Sequence, residues 1–370
     1  MKYILVIVPT DKVAGAEGIL KKIALEMKRR NYIPLIVYLS RGDNNAWPEI
    51  EASNRYYINA KRESVGFIKA LFFFLKLRLK GIIFEYSFTS HIHCNAYISV
   101  LKALKLLKVK NIVFRESTTP FLWYEGLRLA SFKIMYKLYR KPDVLICQTK
   151  QMQENLLENL PHFLGINLTV LDNPVDYLAL RNKRFDNIAK SIFKRTNNEI
   201  VCVGRLVPEK GYRVLLTAFK IALVNYPDLH LRILGSGPER ELLETLAIKL
   251  RVKERVIFHG HCTNPIPYMR EARLCVVSSI VEGFPNVLLE KMSVGRRVVS
   301  TECADGVNKL PGIYTCPVNA PEQLAETICT ALSANKQLFY KNIRSMRKYV
   351  KNRTVKTFVS EVLGLVNEKH

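Results

Sequence analysis

Two glutamates frame the segment Glu282-Gly283-Phe284-Pro285-Asn286-Val287-Leu288-Leu289-Glu290. An apolar run at 274–277 leads into it through Ser278-Ser279, and the segment reads as a helix opening at Gly283 or Phe284. The exposed N–H groups of a helix start attract anions, phosphates above all. A carboxylate can accept a pair of hydrogen bonds from the vicinal hydroxyls of a sugar. Residues of these types at this spacing suit a ligand that is both phosphate and sugar. For an isolated pair, the competing reading is a helix-start anion plus a surface salt bridge.

Three more segments close apolar runs in the same half of the chain. Gly204-Arg205-Leu206-Val207-Pro208-Glu209-Lys210-Gly211 follows the run at 200–203. Gly204 permits a tight turn, and Arg205 with Lys210 brings two cations that can neutralise a diphosphate, the guanidinium forking onto two oxygens. The same residues also make an ordinary charged loop before a helix. Leu234-Gly235-Ser236-Gly237-Pro238 lets backbone approach a ligand closely, although many strand–helix turns look alike. Phe258-His259-Gly260-His261 offers His261 as a contact, or as a solvated loop histidine.

These residues need a scaffold that gathers strand ends. Apolar strands are predicted at 3–8, 33–39, 82–85, 112–115, 144–147 and 168–171, and again at 200–203, 231–234, 256–259, 274–277 and 298–300. Helices are predicted between the first set near 16–30, 66–80, 91–108, 125–140 and 150–159. Such alternation implies α/β domains with parallel sheets covered on both faces. A length of 370 residues suits two domains. The polar, basic stretch that opens with Asn173-Pro174 divides them. The expected organisation is an N-terminal domain over 1–176, a linker over 177–198, a C-terminal domain over 199–335 and a helical segment over 336–370. Doubly wound sheets bind ligands at the C-terminal ends of their strands.

Composition narrows the setting. With 48% hydrophobic and 24% charged residues the chain is globular, not disordered. No apolar run approaches the roughly 20 residues of a membrane span, and residues 1–10 read as a first strand, not a signal peptide. Eight scattered cysteines without a C-x-x-C pair fit reduced thiols in a cytosol. The net charge is +25, and residues 65–141 hold 14 Lys/Arg against 3 Asp/Glu. That patch suits nucleic acid, anionic lipid or an anionic substrate, with generic solubility as the bland alternative.

Taken in order, Gly204-Arg205-Leu206…Lys210-Gly211, Leu234-Gly235-Ser236-Gly237-Pro238, Val256-Ile257-Phe258-His259-Gly260 and Ser278-Ser279…Glu282-Gly283-Phe284-Pro285-Asn286…Glu290 resemble the retaining, nucleotide-sugar-dependent glycosyltransferases of family 4 (GT4). The resemblance covers nearly the whole C-terminal domain. It implies the GT-B fold: two facing Rossmann-like, doubly wound domains with a cleft between them. It also implies that Arg205 and Lys210 grip the donor diphosphate and that Glu282 lies against the donor sugar. Backbone N–H groups around Gly283, Phe284 and Pro285, with Asn286 beside them, would hold sugar hydroxyls and the distal phosphate. Glu290 would accept from the ribose hydroxyls. Gly204, Gly235 and Gly237 belong to the same substrate-binding set.

The N-terminal half resembles the family less. Gly15, in Val13-Ala14-Gly15-Ala16-Glu17, follows the first strand as the family's glycine-rich loop does, but Ala14 stands where a first glycine is usual. Many members place a histidine after an N-domain strand, near the donor sugar. Here His93, or its neighbour His91, and Glu116 are the candidates, the histidines alternatively packing at a helix start. The chain has no Asp-x-Asp pair, so metal-independent transfer without a cofactor is expected.

On the predicted helix 66–80, Lys69, Lys76 and Lys80 align within about 40° of one another, with Phe72 and Phe73 beside them. Lys102, Lys105 and Lys108 span part of the next predicted helix. Lysines flanked by aromatics suit a helix lying on anionic headgroups, or else a solvated face with its Phe residues turned inward. The expectation is a cytoplasmic enzyme bound peripherally to the inner leaflet. It would move a hexose-type sugar from a nucleotide-diphosphate sugar to a polyprenyl-diphosphate-linked, lipid-anchored or oligosaccharide acceptor in O-antigen, capsule or lipopolysaccharide assembly. The alternatives are another GT-B enzyme, such as a nucleotide-sugar epimerase, and a basic nucleic-acid binder. No RNA- or DNA-binding signature supports the second, so no nucleic-acid partner is expected.

Overall fold

The computed structural model describes residues 2–11, 15–40, 47–183 and 198–368. The chain divides into two compact units, Met1–Pro174 with Val355–His370, and Val175–Thr354.

The first unit runs β1 Lys2–Val8, α1 Gly15–Arg29, β2 Tyr32–Ser40, β3 Arg55–Ala60, α2 Glu63–Leu79, β4 Phe84–Thr89, α3 Ile92–Ala103, β5 Val109–Arg115, α4 Pro120–Trp123, α5 Gly126–Lys137, β6 Val144–Cys147, α6 Lys150–Asn159 and β7 Leu168–Val170. The second runs α7 Tyr177–Lys183, β8 Glu199–Val203, α8 Tyr212–Ala222, β9 His230–Leu234, α9 Arg240–Lys249, β10 Val256–Gly260, α10 Ile266–Glu271, β11 Leu274–Val277, α11 Asn286–Val294, β12 Val298–Thr301, β13 Tyr314–Cys316, α12 Pro321–Ser333 and α13 Lys336–Asn352. The last helix, α14 Val355–Asn367, returns to the first unit.

Both sheets are parallel, with strand orders β3-β2-β1-β4-β5-β6-β7 and β10-β9-β8-β11-β12-β13. Central strands are apolar throughout because helices cover both faces. In β1, Leu5 and Ile7 join a core with α2, α3, α5 and α6, while Ile4, Val6 and Val8 join one with α1 and α14. Two strands escape the sequence reading, β3 and β13, and both lie at sheet edges. Their patterns, Arg-Tyr-Tyr-Ile-Asn-Ala and Tyr-Thr-Cys, lack the continuous apolar run of an interior strand.

The 336–370 stretch, expected as one helical segment, is two helices with different cores. Met346 and Val350 of α13 pack in the second unit, and Phe358, Val359 and Val362 of α14 pack beneath the first sheet. Part of the expected linker, 177–183, is the helix α7, and residues 184–197 lie outside the described ones. The helix expected over 91–108 stops at Ala103, and Lys105 takes a left-handed φ of 56°. Lys105 and Lys108 therefore follow the helix instead of continuing its face.

In each sheet the strand order reverses direction once, between β1 and β4 in the first and between β8 and β11 in the second. Such switch points, at the carboxyl ends of the strands, are where doubly wound sheets take ligands.

Candidate active site

At the second unit's switch point, the loop after β8 and the loop after β11 are joined along their backbones. Ile280 N–H donates to Glu209 O (2.8 Å), and the Ser278 hydroxyl donates to Lys210 O (2.9 Å). Gly211 makes that contact possible. Its φ is +63°, and a Cβ there would lie 2.0 Å from Ser278 O. The β9 loop is stitched on the other side, Leu206 N–H donating to Ser236 O (3.0 Å) and Glu239 N–H to Leu206 O (3.1 Å). Added Cβ atoms at Gly235 and Gly237 would sit 1.8 Å from Gly204 O and 2.3 Å from Leu206 O. Those two glycines admit neighbouring backbone, which accounts for them without any ligand. Gly204 itself donates to Leu234 O (3.0 Å) and accepts from the Tyr212 hydroxyl (3.0 Å).

This frame sets Lys210 against Glu282, Nζ to Oε1 2.5 Å. The Ser279 hydroxyl donates to the same oxygen (2.7 Å), and Glu282 N–H donates to Cys303 O (2.8 Å). Both charged side chains are largely but not wholly covered, at 20% and 16% exposure, so solvent and ligand reach them. Arg205 is exposed. Burial, with the negative Glu282 nearby, pushes the Cys303 thiol up to about 12, which leaves it protonated and unreactive.

The helix expected to open at Gly283 or Phe284 begins instead at Asn286, with Pro285 as its N-cap. Proline fixes the entry angle and has no N–H to lose. The Phe284 side chain is buried with Leu288 and Met292 and so packs the core; what this position offers a ligand is backbone. Glu290 is half-buried on the second turn of α11. Lys291, beside it, was not foreseen: it is fully buried and donates to Val276 O (2.6 Å), tying α11 to β11. His261 is exposed.

Residues 197–334, which contain this whole constellation, match the family model described as Glycosyl transferases group 1. An uncharacterized glycosyltransferase of Haemophilus influenzae is 24% identical over 359 residues, 95% of this chain and 96% of its own length. Residues 197–334 of this chain form a glycosyl transferases group 1 domain. The N-acetylgalactosamine-N,N'-diacetylbacillosaminyl-diphospho-undecaprenol 4-alpha-N-acetylgalactosaminyltransferase of Campylobacter jejuni is 29% identical over 253 residues, 66% of each chain. Among solved structures, Anabaena Alr3699/HepE in complex with UDP and glucose aligns with a TM-score of 0.76 at 16% identity. That alignment covers 98% of this chain and 100% of HepE, and the shared fold is GT-B.

In the glycosyltransferase's first unit, the β1/β4 switch point holds histidines and carboxylates. Gly15 opens α1, and Val13 and Ala14 before it lie outside the described residues. His91 caps α3, and its Nε2 lies 3.3 Å from Glu17 Oε1 in the first turn of α1. His93 Nε2 lies 3.3 Å from Glu63 Oε2 at the start of α2. The two imidazoles are 5.6 Å apart. Burial, with His91 beside it, holds His93 down to about 4, so it is neutral at physiological pH and its approach to Glu63 is not an ion pair.

Glu116 is not at this place. It is fully buried and accepts from the hydroxyls of Tyr136 (2.9 Å) and Tyr139 (3.0 Å) and from Asn95 Nδ2 (3.4 Å). Burial raises its pKa to about 7 against the opposing effect of those hydrogen bonds. Its carboxylate ties the ends of α3 and α5 to β5, so the expectation that it faces the reacting sugar is corrected. A lone glutamate after an apolar strand gave no hint that two distant tyrosines would close over it.

Proposed function

We propose that this protein is a retaining, GT4-type glycosyltransferase that needs no metal. It moves a hexose-type sugar from a nucleotide-diphosphate sugar to a lipid-linked or oligosaccharide acceptor in bacterial surface-polysaccharide assembly. The observation that carries the reading is the Lys210–Glu282 pair at the β8/β11 switch point, with Arg205 exposed on the same loop.

As the sugar's C1–O bond breaks, negative charge gathers on the departing diphosphate. Arg205 and Lys210 stand on a loop held by its neighbours' backbones, so they meet that charge with little movement of the main chain. These two side chains take the part a divalent cation plays elsewhere, and transfer should persist in EDTA. Donor phosphate draws Lys210, which leaves Glu282 to accept from the sugar hydroxyls. Glu290 accepts from the ribose, and the backbone entering α11 at Gly283–Asn286 holds the rest.

The acceptor belongs to the first unit, where His91 and Glu17 with His93 and Glu63 offer imidazole and carboxylate to a sugar hydroxyl. Lipid linkage is supported by the diphospho-undecaprenol substrate that the Campylobacter relative's name carries and by the basic first half of the chain. No helix among the described residues is long and apolar enough to cross a membrane, and the enzyme would act on the inner leaflet from the cytoplasm.

Thermal-shift titration with nucleoside diphosphates and their sugars tests the donor reading, because a ligand bound by the native state alone raises Tm by mass action. No shift with any of them would overturn it.

A further inference from the structure

We propose that the α4–α5 segment is the element that enters an anionic bilayer surface, with Trp123, Leu127 and Ile134 as the inserted side chains. The proposal rests on the reading that the acceptor is lipid-linked, and names the surface by which the enzyme reaches it.

The observation is an apolar stripe on the wrong side of a helix. In α5, Tyr136 is fully buried against the core, stacked on Phe121 and edge-on to Phe163. At 100° per residue, Leu127 lies about 180° from Tyr136 and Ile134 falls within about 20° of Leu127. Both point to water, Leu127 at 92% and Ile134 at 62% exposure, and Leu138 continues the line. Leu122 and Trp123 of the adjoining α4 are exposed as well. An amphipathic helix hides such residues; α5 presents them.

The surroundings choose the occupant. Within α4–α5 and the five residues around its ends, Arg128, Lys133, Lys137, Arg140 and Lys141 are exposed against one exposed carboxylate, Glu125. The helices α2, α3, α5 and α6 cover the same face of the first sheet. On α2, the sequence expectation divides cleanly: Phe73 stacks on Tyr56 with centroids 3.7 Å apart, while Phe72 stands exposed beside Lys69 and Lys76. Apolar side chains rimmed by cations, with almost no acid, complement anionic headgroups over acyl chains. Few protein surfaces are so uniformly acidic.

The protein carries its own reporter. It has two tryptophans, Trp47 buried and Trp123 exposed in the stripe. The full chain is mixed with vesicles of phosphatidylcholine alone or with phosphatidylglycerol, with and without brominated acyl chains. Expected are co-sedimentation with the anionic vesicles only and bromine quenching of the Trp123 emission, Trp47 remaining bright. Leu127→Ser/Ile134→Ser should weaken partitioning by about tenfold and remove the quenching. The same variant should keep its nucleoside-diphosphate thermal shift, so a failure here is told apart from a failure of the donor reading. Absence of sedimentation, sedimentation without Trp123 quenching, or a concentration-dependent dimer abolished by the double substitution would each overturn the proposal.

Discussion

The two sheets reverse direction at equivalent places, yet the chemistry set there differs. At β8/β11, three loops are bound to one another through backbone hydrogen bonds, and the residue they present is a cation locked to a carboxylate. At β1/β4, the groups hang from the starts of three helices and are held by side chains, two histidines facing two glutamates. A diphosphate of full negative charge is best met by cations carried on a backbone that does not move, and the stitching of the loops supplies that rigidity. An acceptor hydroxyl asks instead for groups that accept or relay a proton, and these tolerate a looser frame. Under the proposed function, the same fold carries a site for charge and a site for hydroxyls.

The comparison breaks first at the cations. Replacing both Arg205 and Lys210 by alanine should lower transfer by at least about 10³-fold and abolish the thermal shift with nucleoside diphosphates. Retention of either would mean that the charge is met elsewhere. Gly211→Ala attacks the frame: the left-handed φ and the 2.0 Å clash with Ser278 O should destabilise the second unit by roughly 2–4 kcal/mol. Circular dichroism melting checks it, and an unchanged melt would show that the loops need not be so close.

On the other side, His91→Ala should raise the acceptor KM by about tenfold while leaving the donor KM alone. Steady-state kinetics with each substrate varied would read this, and an equal rise in both would erase the distinction drawn here.

Glu116 lies outside both switch points, and its effect is one of stability with a definite sign. Its pKa is about 7 in the folded protein against about 4.3 unfolded, so the folded state binds its proton more tightly. Its contribution is therefore fully present below about pH 4.3 and is lost as pH rises through 7. Glu116→Gln should flatten that decline and leave the variant up to roughly 2 kcal/mol more stable than the parent at pH 8. Urea unfolding followed by tryptophan fluorescence is suited to it, since both tryptophans lie in the first unit. A pH slope that the substitution leaves unchanged would relocate the titration.

How legible each part was follows from where its information resides. Interior strands were found because burial on both faces demands unbroken apolar runs; β3 and β13 were missed because edges relax that demand. Arg205, Lys210 and Glu282 could be singled out because a cation-rich loop and a carboxylate at a helix entry are local patterns that suit phosphate and sugar. Their mutual contact was not local, and 72 residues separate Lys210 from Glu282.

Glu116 shows the opposite case. Its position after an apolar strand suggested an active-site acid, and the tyrosines that bury it come from α5 and the residues just after it, 20 and 23 residues onward. Likewise Gly235 and Gly237 suggested room for a ligand, where the folded chain uses them to admit its own backbone. The sequence by itself determined the two-domain α/β plan, the basic first half and the residue types of the proposed donor site, because periodicity, charge and capping are short-range properties. Tertiary structure alone decided which of those residues meet, which glutamate is sealed in the core and which apolar side chains of α5 face water. Those depend on how distant segments pack, and no window along the chain contains that.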